Sequence, residues 1–186
     1  MHKITKIYYF IDEFNRKEIQ NLNKNISIIY RNYQSKHDYR LIKEIREFCK
    51  LQKRKFYISN NLKIALKLKL DGIYIPSFNK LCNYKNLITR RDFEILGSAH
   101  NIIELKNKEN QGCKKIFVSP IFKTNKSKFF LETIKFNLLA NLSKKKIIAL
   151  GGINYLNFSK LNLTKSEGFA SISWIKKNGP NKIGPF

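Results

Sequence analysis

The sequence predicts an α/β protein built on one parallel sheet. Strand-like and helix-like segments alternate along all 186 residues, and there are eight strand-like segments. Most of these are short unbroken apolar runs, which are typical of strands buried on both faces. Such alternation gives right-handed crossovers, and eight strands are the number that closes a (β/α)8 TIM barrel. A doubly wound open sheet remains the alternative, because alternation alone does not establish closure.

The strands are predicted from apolar runs that end at polar or turn-forming residues. Pro76 ends the fourth strand, Gly97 the fifth, and Ser119-Pro120 the sixth. The predicted strands, in order, are 7–11, 26–30, 56–58, 73–75, 93–96, 115–118, 147–150 and 169–175.

The helices are predicted from apolar residues three and four apart, with capping residues at their ends. Asp38 is an N-cap for the second helix and Asn101 for the fourth, which Gly112 closes. The predicted helices are 13–22, 39–52, 62–70, 102–110, 130–142 and 154–163, with irregular loops at 78–89 and 121–128.

The chain after the eighth strand is too short and too rich in glycine and proline to form the last helix of a barrel. We therefore expect one domain over residues 1–176 and a short tail over 177–186. The barrel would be covered there by other means, such as a partner subunit in a homo-oligomer.

Composition indicates a folded, reduced and membrane-free protein. Hydrophobic residues make up 42% of the chain, and no apolar run approaches the roughly 20 residues that cross a bilayer. The N-terminus lacks a cleavage signal, which predicts a cytoplasmic location. The three cysteines lack the spacing of a zinc site or a disulfide framework.

The net charge of +24 indicates an anionic partner or a lysine-rich surface. The lysines are dispersed, and the aromatic residues mostly lie within strand-like runs rather than on an exposed nucleic-acid platform. We assign most of the charge to solvated faces, so nucleic-acid binding is the less favoured interpretation.

The stretch from Lys146 to Ile153, K-I-I-A-L-G-G-I, predicts a phosphate cradle. Paired glycines let the backbone turn tightly and let its N–H groups approach an anion. A plain strand-to-helix turn is the alternative. In a barrel, functional residues lie at the carboxyl ends of strands. The candidate residues at those ends are Arg31, Asn60, Ser77, Ser98, His100, Ser119, Gly151, Gly152 and Ser173.

The order and spacing of several motifs resemble the thiamine-phosphate synthase/TenI family of barrels. The matching pieces are Ile29-Tyr30-Arg31, Asp71 to Ile75, Ser98-Ala99-His100-Asn101, Ser119-Pro120-Ile121-Phe122 and Ile148 to Ile153, followed by Gly168 to Ile175. The resemblance covers nearly the whole chain and implies a TIM barrel that acts in thiamine biosynthesis. Its expected partners are a phosphorylated thiazole or pyrimidine.

The resemblance also implies roles for individual residues. Gly151, Gly152 and Ser173 match the half of the site that binds thiazole phosphate. The pyrimidine half matches less well, and its candidate substrate-binding residues are Arg31, Asn60, Ser98, Thr124 and Lys126. The family's T-x-T-K pattern reads Thr124-Asn125-Lys126-Ser127 here, so its lysine is displaced, and Lys126 or Lys128 is the candidate substitute.

The family's two magnesium-binding carboxylates are replaced by Asn60 and Asn79. An amide offers a carbonyl oxygen but no charge, and Mg²⁺ is usually held by carboxylates. The sequence therefore assigns no cofactor with certainty and leaves Mg²⁺ open.

His100 matches the histidine that TenI-type members use to move a proton, and histidine is the side chain best suited to proton transfer near neutral pH. Three functions stay open: a synthase-like transferase, a TenI-like thiazole tautomerase with His100 catalytic, and a silent phosphate-ligand binder.

Overall fold

Eight parallel strands form a closed barrel in which each strand pairs with its neighbours in sequence order. The computed structural model describes residues 5–34, 38–82, 84, 86, 90–125 and 127–178. The strands are Lys6–Ile11 (β1), Ile26–Tyr30 (β2), Phe56–Ser59 (β3), Gly72–Ile75 (β4), Glu94–Ala99 (β5), Lys115–Val118 (β6), Lys146–Leu150 (β7) and Gly168–Ser171 (β8). The pairing of β1 with β8 closes the barrel, which confirms the predicted fold class and excludes the open sheet.

Six α-helices surround this barrel within the described residues, and none is long and apolar enough to cross a membrane. They are Arg16–Gln20 (α1), Tyr39–Leu51 (α2), Leu62–Lys67 (α3), Ile102–Asn110 (α4), Glu132–Asn141 (α5) and Ser173–Asn178 (α6). The predicted N-caps are confirmed: the Asp38 carboxylate accepts from Arg40 N, and the Asn101 side chain accepts from Glu104 N. Each satisfies a backbone donor that the first helical turn leaves open.

The core has two layers. One lies between the sheet and the helices, and the other fills the barrel interior with aromatic side chains. In the interior, Phe117 lies edge-to-face against Tyr8, Phe10 and Tyr74, with ring centroids 5.0 to 5.7 Å apart. Such contacts add to the stability that apolar burial alone provides. Aromatic side chains therefore fill this part of the interior, and we expect a ligand site at the carboxyl-terminal rim.

Buried polar groups occupy the amino-terminal end of the barrel interior. The Glu94 carboxylate accepts from the Tyr57 hydroxyl at 2.5 Å and from Lys115 Nζ at 2.9 Å. Burial alone would raise the pKa of Glu94, but these two hydrogen bonds and the charge of Lys115 outweigh it and lower the pKa to about 2. Glu94 is thus ionised and fully partnered at this end.

The predicted eighth strand is wrong beyond Ser171. The chain leaves the sheet there, and Ser173 begins α6, so residues 173–175 are helical. The expectation that no last helix forms is therefore wrong, since a short one follows β8. Trp174 of α6 packs 5.1 Å from the ring of Phe158 and 5.9 Å from that of Phe169 on β8. These aromatics cover the outer face of β8, where Phe169 is fully buried without a partner subunit. Residues 179–186 lie outside the described residues, so the predicted boundary of the tail stays a prediction.

The predicted helix over 154–163 is also wrong in its first turn and in its type. The Asn154 side chain accepts from Leu156 N, and the Asn157 side chain accepts from Asn154 N, which stabilises a turn. A 3₁₀ helix, Phe158–Leu163, follows this turn. The chain therefore leaves the glycine pair through an asparagine turn rather than through the start of an α-helix.

Strand β5 runs three residues further than predicted, through Gly97 and Ser98 to Ala99. A Cβ atom on Gly97 would lie 2.6 Å from the Cys113 Sγ and 2.8 Å from the Lys108 Cδ. Gly97 is therefore a strand residue that makes room for two side chains, and not the strand terminator that the sequence indicated.

Candidate functional site

A cavity of about 430 Å³ opens at the carboxyl-terminal rim of the barrel, beside the ends of β7 and β8. Its polar wall includes Arg31, Lys123, Thr124, Gly151, Gly152 and Ser173. Arg31 and Lys123 supply two positive charges, and the described lining residues include no carboxylate. Leu150, Ile153 and Ala170 supply an apolar floor. The cavity thus combines an apolar surface with an excess of positive charge, which suits an organic anion.

Gly151 and Gly152 must be glycines at this place. Their φ angles are +94° and +72°, a region that side chains strongly disfavour. A Cβ atom on Gly151 would also lie 2.9 Å from Pro120 Cβ, and one on Gly152 would lie 2.5 Å from the Lys123 carbonyl oxygen. The loops after β6 and β7 therefore pack backbone against backbone, which only residues without a side chain allow.

The carbonyl groups of this glycine loop are hydrogen-bonded within the protein. Gly151 O accepts from Phe122 N at 3.1 Å, and Gly152 O accepts from the Asn157 side chain at 2.9 Å. The N–H groups of Gly151 and Gly152 have no acceptor within the described part of the chain. The fixed carbonyls and open N–H groups give the loop the polarity of an anion site.

Arg31 enters the cavity wall from the end of β2. Its backbone N–H donates to Ile11 O at 2.7 Å, and its guanidinium lies 4.6 Å from the centre of the Phe10 ring. This stacking, together with a hydrogen bond to the Tyr74 hydroxyl, holds the cation over the barrel interior, and its five N–H donors leave others for the rim. Burial raises the pKa of the neighbouring Tyr74 hydroxyl to about 12, so that group stays neutral beneath the arginine.

The loop after β6 contributes a lysine that sequence reasoning missed. Lys123 lines the cavity, whereas Lys126 lies outside the described residues. Thr124 also lines the cavity, but its hydroxyl accepts from Ser127 N at 3.1 Å and shapes the loop itself. The missed signal was local: Ile121 and Phe122 are buried, so Lys123 is the first exposed residue after them.

The structure places the other predicted substrate-binding residues outside this cavity wall. Ser98 is buried within β5, where it contacts the Tyr74 hydroxyl. Asn60 is exposed at the end of β3 with φ of +57°, and its side-chain oxygen accepts from the Asn79 amide. Ser173 does line the cavity, at the start of α6 rather than on β8.

The residues at the predicted magnesium position do not fit Mg²⁺. The Asn79 side-chain oxygen accepts from Leu81 N at 2.9 Å, and the Asn60 oxygen accepts from Asn79 Nδ2. Both amide oxygens are therefore already hydrogen-bonded, and neither carries the negative charge that Mg²⁺ sites usually provide. Among the described residues, no group of three or more histidine, cysteine or acidic side chains could hold a metal.

His100 is exposed just after β5 and is paired with Glu104 in the first turn of α4. One Glu104 carboxylate oxygen accepts from the His100 backbone N–H at 2.7 Å and lies 2.9 Å from its Nδ1. The pair resembles a helix-capping arrangement that also orients the imidazole ring. His100 is not among the described residues that line the cavity, so the structure does not bring it together with the glycine loop.

Comparison with known proteins shows a matching protein family and several similar sequences. A family model described as thiamine monophosphate synthase (TMP-TENI) matches residues 17–175. A thiamine-phosphate synthase from Clostridium tetani is 33% identical over 150 residues, which cover 78% of this chain and 70% of that protein. A putative thiamine-phosphate synthase 2 from Aquifex aeolicus is 30% identical over 141 residues, which cover 73% of each.

A solved structure shares the fold. The thiamine phosphate pyrophosphorylase from Pyrococcus furiosus aligns with a TM-score of 0.77 and 19% sequence identity. The alignment covers 92% of this chain and 87% of that one.

Proposed function

Because the chain belongs to the thiamine monophosphate synthase family, we propose that it is a thiamine-biosynthesis enzyme that binds a thiazole phosphate in the rim cavity. The observation that carries this proposal is the polarity of the cavity. Gly151 and Gly152, whose N–H groups have no acceptor within the described residues, line the same cavity as Arg31 and Lys123, and the described lining residues include no carboxylate. A phosphate ester would satisfy these donors while its ring contacts Leu150 and Ile153.

The chemistry that we propose is the transfer of a pyrimidine from its pyrophosphate ester to the thiazole phosphate. Such a reaction forms thiamine phosphate and releases pyrophosphate. Its support is that the similar proteins from Clostridium tetani and Aquifex aeolicus are named as synthases of this product. Arg31 would stand between the two substrates, since it lines the cavity and also ends β2.

The test is formation of thiamine phosphate from hydroxymethylpyrimidine pyrophosphate and thiazole phosphate, with and without Mg²⁺. We expect product, and we expect Gly151→Ala to abolish it, because the added Cβ would clash with Pro120. The glycine variant must first be shown to be folded by circular dichroism. Folded wild-type protein that forms no product would contradict the transferase proposal.

A second candidate function, thiazole tautomerisation, is supported by the contact between His100 and Glu104. A carboxylate 2.9 Å from Nδ1 fixes the ring and leaves Nε2 to exchange protons with a ligand. If this function is right, His100→Ala abolishes isomerisation of the thiazole carboxylate phosphate. His100→Gln is equally inactive, because glutamine forms hydrogen bonds but does not transfer protons. Full activity of the alanine variant would refute this role. Ligand binding without either reaction would identify a silent binder.

A further inference from the structure

We infer that the rim at the ends of β2 and β3 binds a phosphate or pyrophosphate group directly through N–H donors of Arg31 and Asn60, without a divalent cation. This inference rests on the proposed function and deepens it, because it concerns how the second phosphorylated substrate is held. Its basis is the hydrogen-bond network around Asn79, which fixes the direction in which each amide points.

The orientation of the Asn79 side chain follows from its partners. Leu81 N is a donor and lies 2.9 Å from the Asn79 Oδ1, so that atom must be the oxygen. The Nδ2 group then faces the Tyr84 hydroxyl at 2.6 Å and the Asn60 side chain. Asn79 is almost fully buried, both of its Nδ2 donors are used, and its Oδ1 already accepts from Leu81 N.

The orientation of Asn60 follows in turn. Since Asn79 donates to it, Asn60 must present its oxygen to Asn79 and its Nδ2 group away from it. That Nδ2 has no partner within the described ranges, and Asn60 is exposed at the rim. Its φ of +57° is a conformation that asparagine tolerates better than most residues. An amide donor therefore stands where a metal-binding carboxylate would present oxygen.

The layer beneath Asn79 holds this orientation in place. Its backbone oxygen accepts from Lys108 Nζ at 2.7 Å and from Gln111 Nε2 at 2.8 Å, and Lys108 and Gln111 are fully buried. No carboxylate of the described chain is hydrogen-bonded to Asn60, Asn79 or Lys108. Glu104 acts electrostatically on Lys108, but it is hydrogen-bonded to His100 and not to this network. Asn60 and Asn79 themselves carry no negative charge, which disfavours a cation at this position and favours an anion.

Arg31 supplies the charge that an amide donor lacks. Strands β2 and β3 are adjacent, with Tyr30 opposite Ile58, so Arg31 and Asn60 leave neighbouring strand ends. Neighbouring strands lie about 5 Å apart, a span that the oxygens of one phosphate or pyrophosphate can bridge. An arginine fork with an amide donor binds such a group directly, whereas Mg²⁺ would meet two neutral amide oxygens in place of carboxylates, each already accepting one hydrogen bond.

The experiment is calorimetric titration of the full chain with inorganic pyrophosphate, in EDTA and in Mg²⁺. Wild-type protein should bind with affinities that agree within about twofold in the two buffers. Asn60→Asp should weaken binding in EDTA about tenfold or more, because it replaces a donor by a repelling carboxylate, and Mg²⁺ should restore much of the loss. Asn141→Asp, the same change at an exposed end of α5, is the matched control and should bind normally.

Three results would overturn the inference: wild-type binding that needs Mg²⁺, no pyrophosphate binding in either buffer, or unchanged binding by Asn60→Asp in EDTA. Ser173→Asp places a carboxylate in the β7–β8 cavity and so tests whether pyrophosphate binds there rather than at the ends of β2 and β3. Pyrophosphate binding that Ser173→Asp removes and Asn60→Asp leaves intact would also refute the inference. It would place the anion in the cavity instead.

The two proposals can fail separately. Thiamine phosphate formation by a protein that binds pyrophosphate only with Mg²⁺ would retain the proposed function and refute the inference. Metal-free pyrophosphate binding that depends on Asn60, from protein that makes no product, would retain the inference and refute the transferase.

Discussion

Charged residues lie at both ends of the barrel, but they have internal hydrogen-bond partners at one end and face an open cavity at the other. At the amino-terminal end, Glu94 is hydrogen-bonded by Tyr57 and Lys115, and the buried Arg54 donates to backbone carbonyls. At the carboxyl-terminal rim, Arg31 and Lys123 face an open cavity with no carboxylate among its described lining residues. One end uses charge to close the structure, and the other leaves charge available to a ligand.

The presence or absence of an internal partner for a charged group therefore separates the two ends better than the charge itself does. The net charge of +24 is dispersed over the whole sequence and does not by itself locate a site. What distinguishes the rim is that Arg31 and Lys123 have no carboxylate partner among the described residues, and that the Gly151 and Gly152 carbonyls are already hydrogen-bonded. If this distinction is right, substitutions at the two ends should damage different properties.

The largest effect is expected from Arg54→Ala at the amino-terminal end. Arg54 is 5% exposed and donates to the carbonyls of Ile19 and Ile26, and also to those of Leu22 and Asn23. Its removal takes a charged donor from all four carbonyls, of which Ile19 O and Asn23 O keep one backbone donor each. The free energy of unfolding should fall by about 4 kcal/mol. Urea denaturation measures this loss. Arg54→Lys should recover only part of it, and phosphate binding by the folded fraction should be unchanged.

A smaller effect, about 3 kcal/mol, is expected from Glu94→Gln and should depend on pH. The pKa of Glu94 is lowered from 4.5 to about 2 in the folded state. Its contribution is therefore complete above about pH 4.5, and is lost as the pH falls from there toward 2. Denaturation at several pH values should show the wild type losing its advantage over Glu94→Gln across that range. Parallel stability curves would contradict the assignment.

Arg31→Ala should show the reverse pattern at the rim. We expect inorganic phosphate binding to weaken about tenfold to a hundredfold, which corresponds to roughly 1.4 to 2.7 kcal/mol. The free energy of unfolding should fall by about 1 kcal/mol, since the stacking on Phe10 and Tyr33 and the hydrogen bond to Tyr74 are lost at a rim position. Arg91→Ala removes the same charge from an exposed position before β5 and serves as the control. Equal loss of binding in both variants would mean that overall charge, not Arg31, attracts the anion.

Much of the fold and part of the rim followed from local sequence. The apolar run of β7 could be predicted because burial on both faces of a strand requires apolar residues. The glycine pair after it could be predicted because a positive φ strongly favours glycine. The N-caps Asp38 and Asn101 could likewise be predicted from residue type.

The remaining features depend on contacts between distant residues. Gly97 appeared to end β5, but it is a strand residue because Lys108 and Cys113 occupy the space of a side chain. The committed oxygens of Asn60 and Asn79 depend on Leu81 and on Tyr84, and no local pattern of residues reveals which way an amide points. Sequence showed that carboxylates were missing, whereas only the structure showed donors in their place.

The smallest predicted effect is a gain in stability at the amino-terminal end. Lys53 and Lys69 follow the ends of α2 and α3 with φ of +55° and +51°, positions that glycine usually fills. Lys53→Gly and Lys69→Gly should each raise the free energy of unfolding by about 0.5 to 1 kcal/mol, measured by urea denaturation. Lys63→Gly, inside α3, is the control and should destabilise by a similar amount. If this end serves structure alone, the two stabilised variants will bind phosphate as the wild type does, and weakened binding would show that the two ends are coupled.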